Sequence, residues 1–332
     1  MSFYIVALLI ITYVFSKTFL RKLKIPRIFD KYVFITGCDR GFGHLLVKRL
    51  DYLGANVFAG CLTKEGKNML DKTTSYRVTS LLIDITDENS IKEACAFVKT
   101  RLPNGRGLHG LVNNAGIYDA VGLLISEWIP IEDYKRLMDV NLYGMVRVTN
   151  RFLPLLRAER GRIVNMSSIC GRLIASMGAP YVCSKFAVEG YSNTLRQEYY
   201  SAGINVSIIE PSGYQTSIFD NEKLKEKLRD YFKRQDEDVQ EYYGKDYPDL
   251  LTKDMLSNRW LSNRLYQVVD AYEHALTSKY PEARYIVGKD SNTFIRLLHF
   301  APEWFAAKVL GTLNWPLPKA LRKGRLLEAY KS

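Results

Sequence analysis

A glycine-rich turn, Thr36-Gly37-Cys38-Asp39-Arg40-Gly41-Phe42-Gly43, directly follows an apolar run and opens a helical pattern. Glycines let a backbone approach a pyrophosphate closely, and a helix N-terminus supplies partial positive charge to it. Three residues separate the first two glycines, whereas the G-x-G-x-x-G fingerprint has one. The stretch therefore predicts a dinucleotide-binding turn at the start of the first αβ unit.

Short β-branched runs alternate with helical stretches on either side of this turn. The predicted strands are Lys31–Thr36, Asn56–Gly60, Ser80–Ile83, Leu108–Val112, Arg162–Met166, Asn205–Ile209 and Arg284–Val287. Alternating strands and helices imply a doubly wound parallel sheet with right-handed crossovers. We therefore predict a single α/β, Rossmann-like domain over residues 26–290.

A charged, tyrosine-rich block at residues 217–262 interrupts this alternation. Ligands of such sheets bind beyond the carboxyl ends of the strands, so the block is predicted to cover the substrate. A solvated pair of helices is the alternative.

Composition limits the kinds of protein that this chain can be. Its 332 residues are 47% hydrophobic and 25% charged, which suits a globular domain with a large core. The net charge of +12 is concentrated at the ends: residues 17–31 and 289–332 carry +5 each, which leaves +2 for the middle. Because these basic ends flank apolar and aromatic stretches, they favour an anionic membrane surface over nucleic acid as the partner.

Residues 1–25 are predicted to be a membrane anchor. The sequence is apolar from Phe3 to Phe15 apart from Thr12 and two tyrosines, and the segment up to Leu20 approaches the about 20 residues of a membrane span. Basic residues follow the run and no small-residue cleavage site is present, so an uncleaved anchor is favoured over a cleaved signal peptide or a buried helix. The basic flank favours a cytoplasmic catalytic domain.

Residues 291–332 form a second basic segment rich in aromatic side chains. It contains Phe294, Phe300, Trp304, Phe305 and Trp315 among Lys308, Lys319, Arg322, Lys323 and Arg325. The pattern predicts a stretch that lies on the bilayer surface, and the alternative is a helix that closes the substrate pocket. Both roles are compatible, since a lipophilic substrate would reach the site from the membrane.

The cysteines indicate neither a disulfide framework nor a metal site. Cys38, Cys61, Cys95, Cys170 and Cys183 form no C-x-x-C pair and show no metal-ligand spacing to the four histidines. They are predicted to be small buried residues or free thiols.

Tyr181 and Lys185 lie four residues apart, and Ser168 lies thirteen residues before the tyrosine. On a helix, a spacing of four puts the phenol and the ammonium on one face. A free tyrosine titrates near roughly 10, and a fixed positive charge beside it moves its pKa toward the range that acid–base catalysis on an alcohol needs. With the glycine-rich turn, these residues predict a hydride-transfer site.

The ordered motifs resemble the short-chain dehydrogenase/reductase family from about Tyr32 to Gly213. They comprise the glycine spacing, Asn113-Asn114-Ala115-Gly116, Asn141, Ser168, Tyr181 and Lys185. The T-G-C-D-x-G-F-G turn and the runs Ala59–Thr63 and Leu108–Gly116 are similar to its membrane-bound retinol and hydroxysteroid dehydrogenase branch. That branch implies a membrane location, with the endoplasmic reticulum expected.

The resemblance also implies residue roles. Tyr181 would be the acid/base, Lys185 would lower its pKa and hold the nicotinamide ribose, and Ser168 rather than Ser167 would bind the substrate oxygen. Asn141 would hold a water that relays protons, unless it only caps a turn. The implied cofactor-binding residues are Thr36, Gly37, Arg40, Gly41, Phe42, Gly43, Asp84 (at adenine, unless it only starts a helix), Asn113 (bracing the sheet), Ala115, Gly116, Tyr181, Lys185, Pro211, Gly213 and Thr216 (at the carboxamide).

Two departures from the family pattern affect the cofactor. Arg40 stands where the branch has a small residue, and with Lys64 it favours the 2′-phosphate of NADP(H), whereas the branch as a whole favours NAD(H). Cys61, at the end of the second strand, favours neither, so NAD(H) is only slightly preferred. Ser212 separates Pro211 from Gly213, which shifts that turn by one residue.

The sequence therefore predicts an enzyme that interconverts an alcohol and its carbonyl on an apolar substrate, namely a hydroxysteroid, sterol or retinol. The rival hypotheses are a non-catalytic nucleotide- or lipid-binding scaffold and a soluble reductase of small carbonyls. The expected partners are the lipophilic substrate and a membrane, with a homodimer as a further candidate and no nucleic acid.

Overall fold

Seven parallel strands form one sheet in the order β3-β2-β1-β4-β5-β6-β7 in the computed structural model. The model describes residues 4, 5, 8, 12, 15, 19–118, 120–173, 177–215, 221–255, 261–288, 298, 301–311 and 318–322. The strands are β1 (Tyr32–Thr36), β2 (Asn56–Cys61), β3 (Val78–Leu82), β4 (Gly110–Asn113), β5 (Arg162–Met166), β6 (Asn205–Pro211) and β7 (Arg284–Val287).

All seven predicted strands are confirmed, and their predicted bounds differ from the observed ones by at most a few residues. The strand order reverses beside β1, which pairs with β2 on one side and with β4 on the other. The segments that follow β1 and β4 therefore lead to helices on opposite faces of the sheet, and doubly wound sheets bind ligands in the crevice at such a point.

Helices connect the strands and cover both faces of the sheet. Within the described residues they are α1 (Gly41–Tyr52), α2 (Lys64–Thr73), α3 (Glu88–Arg101), α4 (Ile131–Met138), α5 (Met145–Glu159), α6 (Ala179–Glu198), α7 (Asn221–Lys233), α8 (Glu237–Tyr243), α9 (Tyr247–Met255), α10 (Tyr266–Thr277), α11 (Glu303–Gly311) and α12 (Lys319–Arg322). A π-helical segment, Asp139–Gly144, joins α4 to α5.

Alternate side chains of each central strand enter opposite cores. Val33 and Ile35 of β1 pack with α1 and α10, whereas Phe34 packs with α3 and α5 on the other face. Phe34 and Phe152 stack at 4.3 Å between ring centroids. Since both faces are buried, the strands are rich in apolar side chains, as is usual in parallel sheets.

The described residues of the predicted block at 217–262 include helices α7, α8 and α9. Its apolar side chains form a third core with the segment before α4, centred on Trp128, which is 1% exposed. Phe232, Tyr243 and Tyr247 surround the Trp128 ring at 5.1–6.0 Å between centroids. Tyr181 packs against this same cluster, so the block and the residue predicted to be catalytic share one apolar core.

The two ends of the chain contact different parts of the domain. Ile25 N donates to Thr277 O at 2.7 Å and Lys279 N donates to Leu23 O at 2.7 Å, so this segment lies beside the loop that precedes β7. That loop is at the amino ends of the strands, opposite the crevice. At the other terminus, α12 contacts α8: a Cβ on Gly244 would lie 2.9 Å from Lys319 Cβ.

The predicted anchor, residues 1–25, falls largely outside the described residues, as does much of the tail. Among the residues that the structure describes, no helix combines the length and apolar character that a bilayer span needs. Several described side chains of the two ends are exposed and large, among them Tyr4, Leu8, Phe15, Trp304 and Phe305.

Candidate active site

The glycine-rich turn joins β1 to α1 and packs tightly against the loop that follows β4. Gly37 has φ +70°, and a Cβ there would lie 2.7 Å from Ala115 Cα. A Cβ on Gly43 would overlap Gly37 O and lie 2.5 Å from Asn114 Nδ2. Gly41, with φ +66°, faces open space instead. The turn thus presents bare backbone and the start of a twelve-residue helix at the crevice, which fits a dinucleotide pyrophosphate.

Thr36 and Asn114 hold this turn in position. Thr36 Oγ1 accepts hydrogen bonds from Asn114 N at 3.2 Å and Ala115 N at 3.1 Å. Asn114 Nδ2 donates to Thr36 O at 3.0 Å and Gly37 O at 2.9 Å, and Tyr272 OH donates to Asn114 Oδ1 at 3.1 Å. Thr36 is 2% exposed, so its side chain acts on the loops and not on the solvent side of the crevice.

Asp39 has a role that the sequence analysis missed. Its carboxylate crosses from the glycine-rich turn to the turn after β2, where it accepts from Leu62 N at 2.9 Å, Thr63 N at 2.8 Å and Thr63 Oγ1 at 2.7 Å. Gly66 is needed there because a Cβ would lie 2.6 Å from Asp39 Oδ1. The acid was visible in the T-G-C-D run, but its contact with β2 depends on the fold.

The other predicted cofactor residues lie along the same edge of the sheet. Asp84 follows β3, and its Oδ1 accepts from Thr86 N at 2.8 Å and Thr86 Oγ1 at 2.7 Å, so this acid also shapes its own turn. Asn113 Nδ2 bridges Thr149 Oγ1 and Asn165 Oδ1 at 2.9 and 2.8 Å, which places it as a brace between β4, α5 and β5.

In the turn after β6, Ser212 separates Pro211 from Gly213, and Tyr214 anchors the turn. Ser212 N donates to Val287 O at 2.9 Å, and the Tyr214 ring meets Phe42 of the glycine-rich turn edge-on at 5.7 Å. Pro211 is the last residue of β6, and Gly213 lies in the turn after it. Gly213 O accepts from Ser262 N at 3.0 Å. Thr216 lies outside the described residues.

Asn141 is fully buried in the π-helical segment. Its Oδ1 accepts from Ile117 N at 2.8 Å, and its Nδ2 donates to Ile117 O at 3.0 Å and Ser184 Oγ at 3.1 Å. A Cβ on Gly116 would lie 3.1 Å from Asn141 Oδ1 and 3.7 Å from Lys185 Nζ. The amide and the ammonium therefore both lie close to the bare backbone of Gly116.

The two adjacent serines point in different directions. Ser168 caps a short 3-10 turn, accepting from Cys170 N at 3.1 Å, and its hydroxyl lies close enough to the Tyr181 phenol to oppose the rise in the pKa of that phenol. Ser167 Oγ contacts Lys185 O at 3.5 Å and is enclosed by Gly171. Ser168 is thus the hydroxyl that faces the phenol.

Helix α6 brings the phenol and the ammonium to this point. It begins after Gly178, whose φ of +72° and close contact with Gly122 leave no room for a side chain. The Tyr181 ring meets Tyr118 edge-on at 4.6 Å, and Lys185 Nζ lies 5.6 Å from the centre of the Tyr181 ring. Lys185 Nζ donates to Met166 O at 3.1 Å.

The electrostatics differ from the sequence-based expectation that Lys185 lowers the pKa of Tyr181. Burial raises the pKa of Tyr181, Cys170 adds to the rise, and the Ser168 hydrogen bond opposes it. Burial lowers the pKa of Lys185 to about 8, while Cys170 and Glu189 oppose that change. Both shifts favour the neutral forms, because a site withdrawn from water disfavours either charge.

Comparisons with known proteins agree with this geometry. The family model described as short chain dehydrogenase matches residues 31–227. The chain is 42% identical to 17-beta-hydroxysteroid dehydrogenase type 6 of Bos taurus, over 94% of this chain and 97% of that protein. It is also 42% identical to retinol dehydrogenase 7 of Rattus norvegicus, over 85% of this chain and 88% of that protein.

Solved structures show the same fold. A short-chain dehydrogenase from Streptomyces avermitilis superposes with a TM-score of 0.64 at 22% identity, covering 91% of this chain and 99% of that one. A short-chain dehydrogenase from Burkholderia cenocepacia, solved with NADP, gives 0.63 at 22% identity and covers 84% and 97%.

Proposed function

The chain belongs to the short-chain dehydrogenase family, and from that membership we propose that it transfers a hydride between a nicotinamide dinucleotide and the hydroxyl-bearing carbon of an apolar alcohol. The observation that carries the proposal is the convergence of Ser168, Tyr181 and Lys185 beside the carboxyl ends of β4 and β5. The proposed substrate of the enzyme is a hydroxysteroid, a sterol or retinol, because relatives that match most of the chain are a hydroxysteroid dehydrogenase and a retinol dehydrogenase.

Each residue has a defined task in this reaction. Tyr181 takes the proton of the alcohol as the carbonyl forms, or returns it in the reverse direction. Ser168 donates to the substrate oxygen and stabilises the charge that develops on it. The nicotinamide ring supplies hydride acceptance and donation when the dinucleotide is bound.

Lys185 and Asn141 orient these groups. The ammonium holds the nucleotide ribose and lies 5.6 Å from the centre of the Tyr181 ring, so its charge favours the phenolate as the proton leaves. Asn141 fixes the Ile117 backbone beside Gly116 and Lys185, where a proton relay to solvent would begin.

The apolar cover supports a lipophilic substrate over a small carbonyl. Helices α7 to α9 contribute aromatic rings to the apolar cluster against which Tyr181 packs, so the surroundings of the phenol suit an apolar alcohol. Removal of apolar area from water stabilises such a complex by roughly 25 cal/mol per Å².

A turnover screen of steroid and retinoid alcohols with NAD and NADP tests the proposal. We expect oxidation of at least one apolar alcohol with a Michaelis constant well below that of short-chain alcohols. The absence of turnover with every alcohol and both nucleotides would favour the scaffold hypothesis, and a preference for small carbonyls would favour the soluble reductase.

We propose NAD(H) as the cofactor because of the position of the Asp39 carboxylate. Its carboxylate is held at the end of β2, where an acid favours free ribose hydroxyls over a 2′-phosphate. Arg40 is the opposing feature: it is exposed at the N-terminus of α1 and can reach a 2′-phosphate.

We expect Arg40→Ser to weaken NADPH binding about tenfold or more and to change NADH binding little, because a hydrogen bond to a charged group is worth about 1.5–3 kcal/mol. Titration of NADH and NADPH fluorescence measures both dissociation constants. Asp39→Asn is the matched control and should weaken NADH instead. Equal effects of Arg40→Ser on the two nucleotides would show that Arg40 does not contact the phosphate.

We further propose that the enzyme is bound to the endoplasmic reticulum membrane through residues 1–25, with its catalytic domain facing the cytoplasm. The exposed aromatics of the first 20 residues and of α11 support this, with the basic residues around them. The contact of α12 with α8 supports a second role for the tail as part of the substrate cover. A homodimer stays a prediction, which the mass of the purified enzyme in detergent tests.

A protein lacking residues 1–20 should still bind anionic vesicles, and salt should release it, because screening acts within a Debye length of about 10 Å at 0.1 M. Residues 21–25 are retained because they contact the domain. Adding Trp304→Ser and Phe305→Ser, which leaves α12 intact, should abolish the binding. Vesicle sedimentation measures the bound fraction of each protein. Equal binding by both proteins would show that the tail contacts only the substrate cover and not the membrane.

A further inference from the structure

A buried ionic cluster lies behind the candidate catalytic residues. Glu210, at the end of β6, is fully buried, and its Oε1 pairs with Arg284 Nη1 of β7 at 2.5 Å. The same guanidinium pairs with Glu189 Oε2 of α6, and Arg172 Nη1 lies 3.4 Å from Glu210 Oε2. The cluster therefore joins α6, β6 and β7 to the turn that carries Ser168.

Glu189 is placed to act on Lys185. It lies four residues after the lysine on α6, as the lysine lies four after Tyr181, so all three share one helix face. A Cβ on Gly171 would lie 2.9 Å from Lys185 O and 3.0 Å from Glu189 Cγ, so the Ser168 turn packs directly on this part of the helix.

One carboxylate oxygen of Glu189 takes no part in the ionic cluster. Oε2 pairs with Arg284, whereas Oε1 is buried and has no hydrogen-bond partner within the part of the chain that the structure describes. Glu189 is 6% exposed and Lys185 is 3% exposed. An ammonium withdrawn from water in this way costs several kcal/mol unless an opposite charge is near.

We propose that Glu189 is a positioning residue for the reaction proposed above: it is the buried counter-ion that keeps Lys185 charged, and Arg284 holds it in place. The carboxylate acts through the ammonium and touches neither substrate nor nucleotide. A charged Lys185 is then available to the ribose and to the phenol across the working pH range.

The other groups around Lys185 are consistent with this role. Those that lie near it on the packed elements are Tyr181 of α6, Cys170 of the Ser168 turn and Asn141 of the π-helical segment, with Glu210, Arg284 and Arg172 beyond Glu189. Burial lowers the pKa of Lys185 to about 8, and Glu189 is the carboxylate that opposes this fall. Both oxygens of Glu210 pair with arginines, Oε1 with Arg284 and Oε2 with Arg172.

The variant Glu189→Gln keeps the shape and removes the charge. Without its counter-ion, Lys185 loses its proton at a lower pH, so the alkaline limit of NADH binding should move down by about one pH unit. The pH profile of alcohol turnover should move by the same amount. Glu189→Asp keeps the charge and should keep the wild-type profile, and Glu198→Gln, at an exposed position of the same helix, is the control.

NADH fluorescence titrated from pH 6 to pH 10 gives the profile independently of turnover. An unchanged profile in Glu189→Gln, with folding confirmed by circular dichroism, overturns the proposal and limits the cluster to a structural role. If that variant does not fold, Glu189→Gln with Arg284→Met removes both charges and should show the same downward shift. A wild type that binds NADH but oxidises no alcohol contradicts the proposed function and leaves this binding test valid.

Discussion

Replacing Tyr181 by phenylalanine should lower alcohol turnover by at least about 100-fold while NADH still binds, because general acid–base catalysis contributes about 10²–10⁴-fold. The phenol is the group that Ser168 contacts and that lies beside Lys185. Phenylalanine keeps the ring and its edge-on contact with Tyr118, so only the hydroxyl is lost.

Turnover of the best alcohol from the screen, together with NADH fluorescence titration, separates the two effects. Tyr118→Phe is a matched control, because it removes a neighbouring hydroxyl whose hydrogen bond at 3.3 Å goes to Gly122 O. It should retain most of the activity. Near-wild-type turnover by Tyr181→Phe would mean that another group moves the proton.

Acid should destabilise this protein through His109, by up to about 3 kcal/mol. His109 is 7% exposed, its Nε2 hydrogen-bonds Leu276 O at 2.8 Å, and burial lowers its pKa from 6.5 to about 4. Between these two values the unfolded chain binds the proton and the folded protein does not. The stabilisation is therefore complete above pH 6.5 and is lost as the pH falls through 4, at 1.36 kcal/mol per pKa unit.

Urea unfolding of the wild type and of His109→Gln at pH 7.5 and pH 4.5 measures this effect. Glutamine can still donate to Leu276 O but does not titrate, so the variant should lose less free energy of unfolding on acidification. His44→Gln is the comparison, since that imidazole is less buried. Parallel losses in the wild type and His109→Gln would show that other groups cause the acid sensitivity.

The positions of the strands along the chain and the choice of candidate site residues could be predicted because both depend on local patterns. Apolar runs of strand length, separated by helical stretches, identify a parallel sheet, and the bounds of Arg162–Met166 and Arg284–Val287 are the same in the structure. Tyr181 and Lys185 share a helix face because their spacing is four. These features need no long-range contact to be recognised.

Features that depend on contacts between distant residues were not predictable. The pKa of Tyr181 follows from its burial among residues distant in the chain, and not from its spacing to Lys185 alone. Likewise, the Asp39 carboxylate reaches Leu62 and Thr63 only because β1 and β2 are neighbours in the sheet.

The sequence by itself determined the doubly wound fold, the glycine-rich turn and the residues that make up the candidate site, since hydrophobic period and residue spacing are local properties. Only the tertiary structure decided that Ser168 also caps its own turn, that Asp39 braces the turn after β2, and that Glu189 is buried on the helix face of Lys185 with Arg284 and Glu210 around it. Burial and charge pairing are set by residues far apart in the chain, so the free energy of each ionised group follows from the folded environment.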